Sequence, residues 1–134
     1  MLSRLEFIQA SLHLLDEQHS TDLTTETYAH FFQQCPSAKS LWEKDDHTSR
    51  IKMLNGVLLS VIDSLTRPDM AKRNLAIDVK EHIGYGVKDH MYALFFDSLL
   101  HAFKQVLTNR FTLEMEQAWT AQFDHLVQTM TVNT

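Results

Sequence analysis

One histidine of this 134-residue chain has neighbours that make it a candidate for metal or cofactor chemistry. His82 lies in the stretch KEHIGYGVKDHMYALFF, residues 80–96, which also holds two of the chain's three glycines. Leu75, Val79 and His82 are spaced by four and three residues, which places the histidine on the apolar face of a predicted helix. Such a histidine is either a core residue hydrogen-bonded to a backbone carbonyl or a ligand to zinc or to heme iron.

The rest of the sequence bears on which metal this histidine could bind. A zinc site needs two or three further ligands, and no His-x3-His pair occurs on one predicted helix. Cys35 is the single cysteine, so neither a thiolate zinc cluster nor an internal disulfide can form. Heme needs one axial histidine in an aromatic, apolar cleft, because the porphyrin supplies the other four nitrogens. Two interpretations of His82 therefore remain, a core histidine and a heme ligand.

Charge and hydropathy exclude several classes of protein. The chain carries 12 Lys and Arg against 17 Asp and Glu, so it lacks the basic surface that nucleic-acid binding requires. No apolar run approaches the roughly 20 residues of a membrane span. The N-terminal segment MLSRLEFIQASLHLLDEQ carries acidic residues and helical spacing, unlike a signal peptide. We therefore expect a cytoplasmic protein that binds neither nucleic acid nor membranes, and the single cysteine agrees with a reducing compartment.

Helical spacing of apolar residues recurs along the chain, while glycine and proline are rare. Ser3 and Glu6 predict a capping box for a first helix. The segment STDL, residues 20–23, supplies capping side chains for a second helix. A short helical turn is predicted to begin at Pro36, and a long helix to follow the polar segment EKDDHTS, residues 43–49.

The second half of the chain predicts three more helices. Pro68 ends the long helix, because proline is poorly tolerated inside one. The helices that follow are predicted at about residues 70–83, 88–108 and 113–131. Gly84 and Gly86 end the first of these, and Thr112 caps the last. The sequence thus predicts one all-α domain of about seven helices over residues 1–134.

Several short motifs, taken together and in order, resemble those of bacterial single-domain globins. They are H-x-x-Y-G-V at residues 82–87, then Tyr92, LL at 99–100 and AW at 118–119. Upstream, residues 28–42 fit a globin helix, a proline-led short helix and a heme-contacting aromatic residue. The resemblance implies a globin fold of about seven helices around a pocket for heme b, iron protoporphyrin IX.

The resemblance assigns the proximal side of that pocket. His82 matches the axial iron ligand, whose other ring nitrogen needs an acceptor, normally a backbone carbonyl of its own helix. Val87 matches the small apolar residue at the porphyrin edge, and Tyr92 matches an aromatic residue of the proximal side or of the core. Asp78 departs from the pattern, because globins usually carry leucine four residues before the ligand. Val79 could take over that contact.

On the distal side, Tyr28 matches a tyrosine that donates a hydrogen bond to a bound diatomic gas, with core packing as the plain alternative. Phe32, one turn later, matches the pocket wall, and Phe96 is expected among the cofactor-binding residues as well. Trp42 stands six residues after Pro36, where globins place a phenylalanine that stacks on heme. Its larger ring and its N–H are a second departure from the pattern.

The long helix could present its distal residue in one of three registers, which begin at His47, Ser49 or Arg50. The register of Arg50 is preferred, because the residues four and eight positions later, Leu54 and Leu58, are apolar. The register of His47 would bury an unpartnered amide, and that of Ser49 is less apolar. An arginine in this position could reach the bound gas or pair with a heme propionate.

The resemblance also implies a function. A protein of this family would bind oxygen reversibly at an iron held by His82, and nitric oxide or carbon monoxide too, as an oxygen transport or storage protein. One alternative is a nitric oxide dioxygenase that works with a separate reductase, since the sequence holds no Gly-rich nucleotide motif and no flavin domain. Another is a heme-based gas sensor module. The chain is thus not expected to be a stand-alone enzyme, and it would be a monomer or a homodimer.

Overall fold

A computed structural model describes residues 1–42 and 47–131, except for the side chain of Trp42. Within these residues the chain forms seven α-helices, two 3₁₀ turns and no strand. The helices are α1 (Arg4–His13), α2 (Glu17–Gln34), α3 (Pro36–Lys39), α4 (His47–Thr66), α5 (Pro68–Gly84), α6 (Asp89–Leu107) and α7 (Leu113–Thr131). The all-α prediction is confirmed. Across the described residues, no helix is long and apolar enough to span a bilayer.

The first two helices begin at side chains that accept hydrogen bonds from free backbone N–H groups. The Ser3 hydroxyl accepts from the Glu6 N–H at 3.1 Å, and the Glu6 carboxylate accepts from the Ser3 N–H at 3.0 Å. The predicted capping box is therefore confirmed. The predicted start of α2 is wrong, because the Asp16 carboxylate accepts from the His19 N–H at 2.7 Å. The helix thus begins one turn earlier, and the segment STDL lies inside it.

A single residue, Arg67, joins α4 to α5. Pro68 occupies the first turn of α5, where its missing N–H leaves no intrahelical bond unmade. The Arg67 guanidinium donates to the buried Asp63 carboxylate at 2.8 Å, and the Arg67 backbone N–H donates to the Asp63 carbonyl at 2.7 Å. The helix break predicted at Pro68 is confirmed, and it consists of the single residue Arg67. Both of these hydrogen bonds tie Arg67 to Asp63 of α4.

Aromatic side chains fill the space where α6 packs against α2 and against α7, and α1 packs on α7 as well. Phe96 stacks on Phe123 with ring centroids 4.7 Å apart, and the fully buried Trp119 lies 4.8 Å from Phe103. The Trp119 indole N–H donates to the Ser11 hydroxyl at 2.7 Å. This buried hydrogen bond satisfies the indole and ties α1 to α7.

Two histidines stack on each other between α2 and α6. The ring centroids of His30 and His101 are 4.2 Å apart, and His30 Nδ1 lies 2.9 Å from the Ser98 hydroxyl. Burial lowers the pKa of His30, the nearby His101 lowers it further, and Asp97 acts in the opposite direction. The folded protein therefore favours neutral His30, whereas the unfolded chain takes up the proton at an ordinary histidine pKa.

We expect the free energy of unfolding to decrease as the pH falls below the ordinary histidine pKa of about 6.5, because the unfolded state then binds a proton that folded His30 resists. His101→Gln should reduce this loss, since it removes the second positive charge. Urea unfolding at about pH 7.5 and about pH 5 measures the difference. His125→Gln, on the exposed face of α7, is the matched control and should keep the wild-type difference. An undiminished loss in His101→Gln would contradict the assignment.

Candidate functional site

The last turn of α5 places the half-buried His82 on the wall of a cavity of about 630 Å³. Aromatic and aliphatic side chains make up most of that wall. Its lining residues are Phe31, Leu41, Ser49, Met53, Val57, His82, Tyr85, Val87, Met91, Tyr92, Phe95, Phe96 and Met130. Every helix except α1 and α3 contributes at least one of them. The site is therefore assembled from most of the fold.

Gly86 turns the chain between His82 and Val87. Its φ of +93° lies in the left-handed region, and a Cβ there would lie 3.3 Å from Leu41 Cδ2. The Val87 N–H donates back to the His82 carbonyl at 3.0 Å, which holds both residues on the same wall. A Cβ on Gly84, by contrast, would meet only open space, and α5 runs as far as that residue. Of the two glycines that the sequence assigned to the turn, Gly86 is the one whose conformation requires glycine.

Three polar groups lie together beside the cavity. His82 Nδ1 and the Tyr92 hydroxyl are buried, and neither has a hydrogen-bond partner within residues 1–42 and 47–131. The two ring centroids are 6.0 Å apart. Asp78, one turn before His82 on α5, lines a second cavity of about 220 Å³ together with that histidine. The two cavities adjoin, because both are also lined by Met53 and Phe96.

The carboxylate of Asp78 shapes the electrostatics of this group. Burial raises the pKa of Asp78, while the nearby His82 acts to lower it. Burial also raises the pKa of Tyr92, and the charges of Asp89 and Asp78 raise it further. Tyr92 is therefore a neutral phenol at physiological pH, and Asp78 is close enough to act on both rings.

Four of the predicted cofactor-binding residues line the larger cavity: His82, Val87, Tyr92 and Phe96. Others are not among its lining residues. Tyr28 is fully buried and packs edge-on against the wall residue Phe95, with centroids 5.6 Å apart. Phe32 lies 5.8 Å from the Tyr28 ring, and Val79 packs against the core. The side chain of Trp42 lies outside the described part of the chain, so its predicted contact with heme stays a prediction.

The face of α4 that borders the cavity is rotated from the preferred register. Ser49, Met53 and Val57 line the cavity, whereas Leu54 is buried in the core and Leu58 packs against it. The α4 wall therefore follows the register of Ser49. The reason is physical: the most apolar stripe of the helix packs against protein, and the adjacent stripe is left facing the cavity.

Arg50 lies on this same turn of α4 but is directed toward α2. Its guanidinium carbon is 5.4 Å from the Tyr28 ring centroid and 5.2 Å from that of Phe32, both within cation–π range. Arg50 is half-buried, while His47 at the first position of α4 is exposed. Of the three candidate distal residues, Ser49 is the one on the cavity wall.

Besides the three residues of the Ser49 register, which was not the preferred one, six wall residues were not predicted from the sequence: Phe31, Leu41, Tyr85, Met91, Phe95 and Met130. Spacing could have found two of them, because Met91 and Phe95 are four residues apart and directly precede Tyr92 and Phe96 on α6. Tyr85 belongs to the H-x-x-Y-G-V motif, but apolar spacing assigned it no role, since 74% of its surface is exposed beside the cavity. Apolar patterning does not detect a wall residue of that kind.

The cavity suits a small-molecule cofactor with one protein ligand and apolar surroundings. Its volume falls within the range of about 300–1,000 Å³ that is typical of small-molecule sites. Among the described residues, His82 is the one that brings an imidazole to the wall, and buried Nδ1 is the kind of atom that a metal-bound histidine uses to donate a hydrogen bond. In the part of the chain described, no three His, Cys, Asp or Glu residues come together as a site for a bare metal ion. Heme fits these residues.

Comparison with known proteins decides the family. The family model of the globins matches residues 25–130. This chain is a globin. The predicted resemblance and the predicted fold are both confirmed. No curated protein matches the sequence of this globin.

Two solved structures show the same fold. One is an engineered carbene transferase made from a candidate nitric oxide dioxygenase of Rhodothermus marinus, with a TM-score of 0.77 and 27% identity over 99% of this globin and 93% of that chain. The other is a bacterial globin from Campylobacter jejuni, with a TM-score of 0.76 and 20% identity over 95% of this globin and 91% of that chain.

The turn after His82 gives a matched test of backbone conformation. Gly86→Ala should lower the free energy of unfolding by about 1–2 kcal/mol, because an L-residue is strained at this φ and its Cβ would press on Leu41. Gly84→Ala should be neutral or stabilise by about 0.4–1 kcal/mol, since alanine suits a helix and has open space there. Urea unfolding of both variants measures the difference. Equal effects would show that Gly86 does not set the turn.

Proposed function

We propose that this globin holds heme b through His82 and reversibly binds oxygen, and also nitric oxide or carbon monoxide, at the heme iron. One observation carries the proposal: the His82 imidazole lies on the wall of an apolar cavity of about 630 Å³, with Nδ1 buried. Membership of the globin family supports heme as the occupant. An axial histidine leaves one iron position for a diatomic gas, which is the chemistry that heme supplies when bound.

The chain's own residues would prepare the site in distinct ways. His82 would anchor the cofactor, and Val87 would contact its edge from the turn that Gly86 makes. Met53 and Val57 would exclude water from the α4 side, which keeps the pocket apolar.

A hydrogen-bond donor for the gas could come from two places. Ser49 lines the cavity, and a serine hydroxyl is able to donate. Tyr28, the donor that the sequence favoured, lies behind Phe95, and Arg50 would have to leave the Tyr28 and Phe32 rings to enter the cavity. Ser49 is therefore our first choice for the distal donor.

An enzymatic role is a second candidate. The Rhodothermus marinus protein, a candidate nitric oxide dioxygenase, is 27% identical to this chain over nearly its whole length. Nitric oxide dioxygenation consumes an electron in each cycle, so this activity would require a separate reductase as partner. A cytoplasmic setting, which the single cysteine favours, belongs to both versions of the proposal.

Titration of the purified protein with heme tests the proposal. We expect one heme per chain, a Soret band that shifts when carbon monoxide is added to the reduced protein, and loss of this complex in His82→Ala. His90→Ala, exposed at the start of α6, is the matched control and should bind heme as the wild type does. No uptake of heme, or uptake unchanged in His82→Ala, would refute the proposal. Sustained nitric oxide consumption with an added reductase would favour the enzyme over the carrier.

Neighbouring residues on α4 test which of its faces meets the gas. Met53→Ala should change the rate of carbon monoxide rebinding severalfold, because Met53 lines the cavity. Leu54→Ala should instead lower the free energy of unfolding by about 2–5 kcal/mol, since Leu54 is buried in the core. Flash photolysis and urea unfolding measure the two effects. If the rate of carbon monoxide rebinding changed more in Leu54→Ala or Arg50→Ala than in Met53→Ala, the residues of the Arg50 register, and not those of the Ser49 register, would face the bound gas.

A further inference from the structure

The imidazole of His82 leaves one of its two nitrogens to be accounted for. If the heme iron takes Nε2, as the proposed function requires, Nδ1 carries the proton and must donate a hydrogen bond. Nδ1 is buried and has no partner in the part of the chain that the structure describes. A buried donor without an acceptor is unfavourable, so the environment of His82 should contain an acceptor that this group can reach.

Asp78 is placed to be that acceptor. It precedes His82 by four residues on α5, so the two side chains share one face of the helix. Both line the cavity of about 220 Å³ that adjoins the larger one, and this cavity gives the carboxylate room to turn toward the imidazole. Both residues are half-buried, so a hydrogen bond between them would be shielded from water on one side.

Two other acceptors compete with this carboxylate. The Tyr92 hydroxyl is buried near His82, with ring centroids 6.0 Å apart, but it is neutral and also lacks a partner in the described residues. A backbone carbonyl of α5 could accept as well, although these carbonyls already accept the helical N–H groups. A carboxylate gives the stronger, charge-assisted bond to an imidazole N–H.

We propose that Asp78 is the positioning residue of the heme site, whose carboxylate accepts the hydrogen bond of His82 Nδ1 and so fixes the ring and increases its electron donation to iron. This inference rests on the proposed function, because it needs iron on Nε2. A carboxylate partner makes a ligating histidine more basic and holds its tautomer and ring orientation. A more basic ligand stabilises ferric over ferrous iron, so Asp78 should bias the protein toward the ferric state.

Removal of the carboxylate in the heme-loaded protein tests this role. In Asp78→Asn, the iron–histidine stretching band of the ferrous protein should move to lower frequency in the resonance Raman spectrum. The ferrous state should gain about tenfold over the ferric state at a fixed potential, which is about 59 mV for a one-electron couple. Asp78→Leu, which removes the acceptor altogether, should shift both readouts at least as far. Asp78→Glu, which keeps a carboxylate, should restore them in part.

Glu81→Gln is the matched control. Glu81 precedes His82 by one residue and carries the same charge, but it is exposed and does not line either cavity. The Raman band of this variant should stay at the wild-type frequency, and its potential should shift less than that of Asp78→Asn. Equal shifts in the two variants would show that only net charge matters, and the proposal would then fail. A shift in Tyr92→Phe without one in Asp78→Asn would assign the bond to the phenol instead.

The outcomes separate this inference from the proposed function. Absence of heme uptake by the wild type would overturn both. Heme held through His82, with a band and a potential that Asp78→Asn and Asp78→Leu leave unchanged, would overturn the role of Asp78 alone. If the Asp78 variants do not take up heme, nitrogen NMR of the heme-free protein gives the answer. The Nδ1–H tautomer of His82 should predominate in the wild type and decline in Asp78→Leu, and an unchanged tautomer would refute the proposal.

Discussion

The site depends on aromatic side chains that pack against the rest of the protein as well as bordering the cavity. Interior side chains are held in place by close packing, because each contact adds a small dispersion attraction. Three rings of the cavity wall have such contacts. Phe31 and Phe95 meet edge to face with centroids 5.3 Å apart, and buried Tyr28 packs on Phe95. Phe96 is stacked on Phe123 of α7. Each of these three rings thus has a packing partner in the protein, and moving one of them would break that contact.

The helices were largely predictable, because their boundaries are set by local chemistry. Ser3 caps α1, Thr112 accepts from the N–H of Met115 at 3.2 Å near the start of α7, and Pro68 opens α5. The start of α2 was missed, because Asp16 and the segment at residues 20–23 both offer good capping side chains. Spacing alone does not rank two nearby caps, and the earlier one wins by adding a turn of helix.

The cavity wall around His82 was predictable from the sequence, and the wall formed by α4 was less so. His82, which lines the cavity, was singled out by its residue type, its helical face and the glycines that follow it, all of which are local in sequence. The orientation of α4 is not local: a shift of one residue rotates the exposed face by about 100°. The sequence prediction chose the most apolar stripe of α4, which contains Leu54, but Leu54 is buried against other parts of the protein. The cavity is bordered instead by a less apolar stripe that contains Ser49 and the flexible Met53.

The corner at Arg67 lies at nearly equal distances from two residues of the cavity wall. Met53 on α4 and His82 on α5 lie about 21 Å and about 22 Å from this corner along their helix axes, at a rise of 1.5 Å per residue. A change of about 5° in the angle between the two helices would therefore move either cavity wall by about 2 Å relative to the other. The Arg67 N–H donates to the Asp63 carbonyl of α4 at 2.7 Å, and the Arg67 carbonyl accepts from the Ala71 N–H of α5 at 2.9 Å, so the corner residue is hydrogen-bonded to both helices. The separation of Met53 and His82 across the cavity therefore depends on a corner that lies far from both residues.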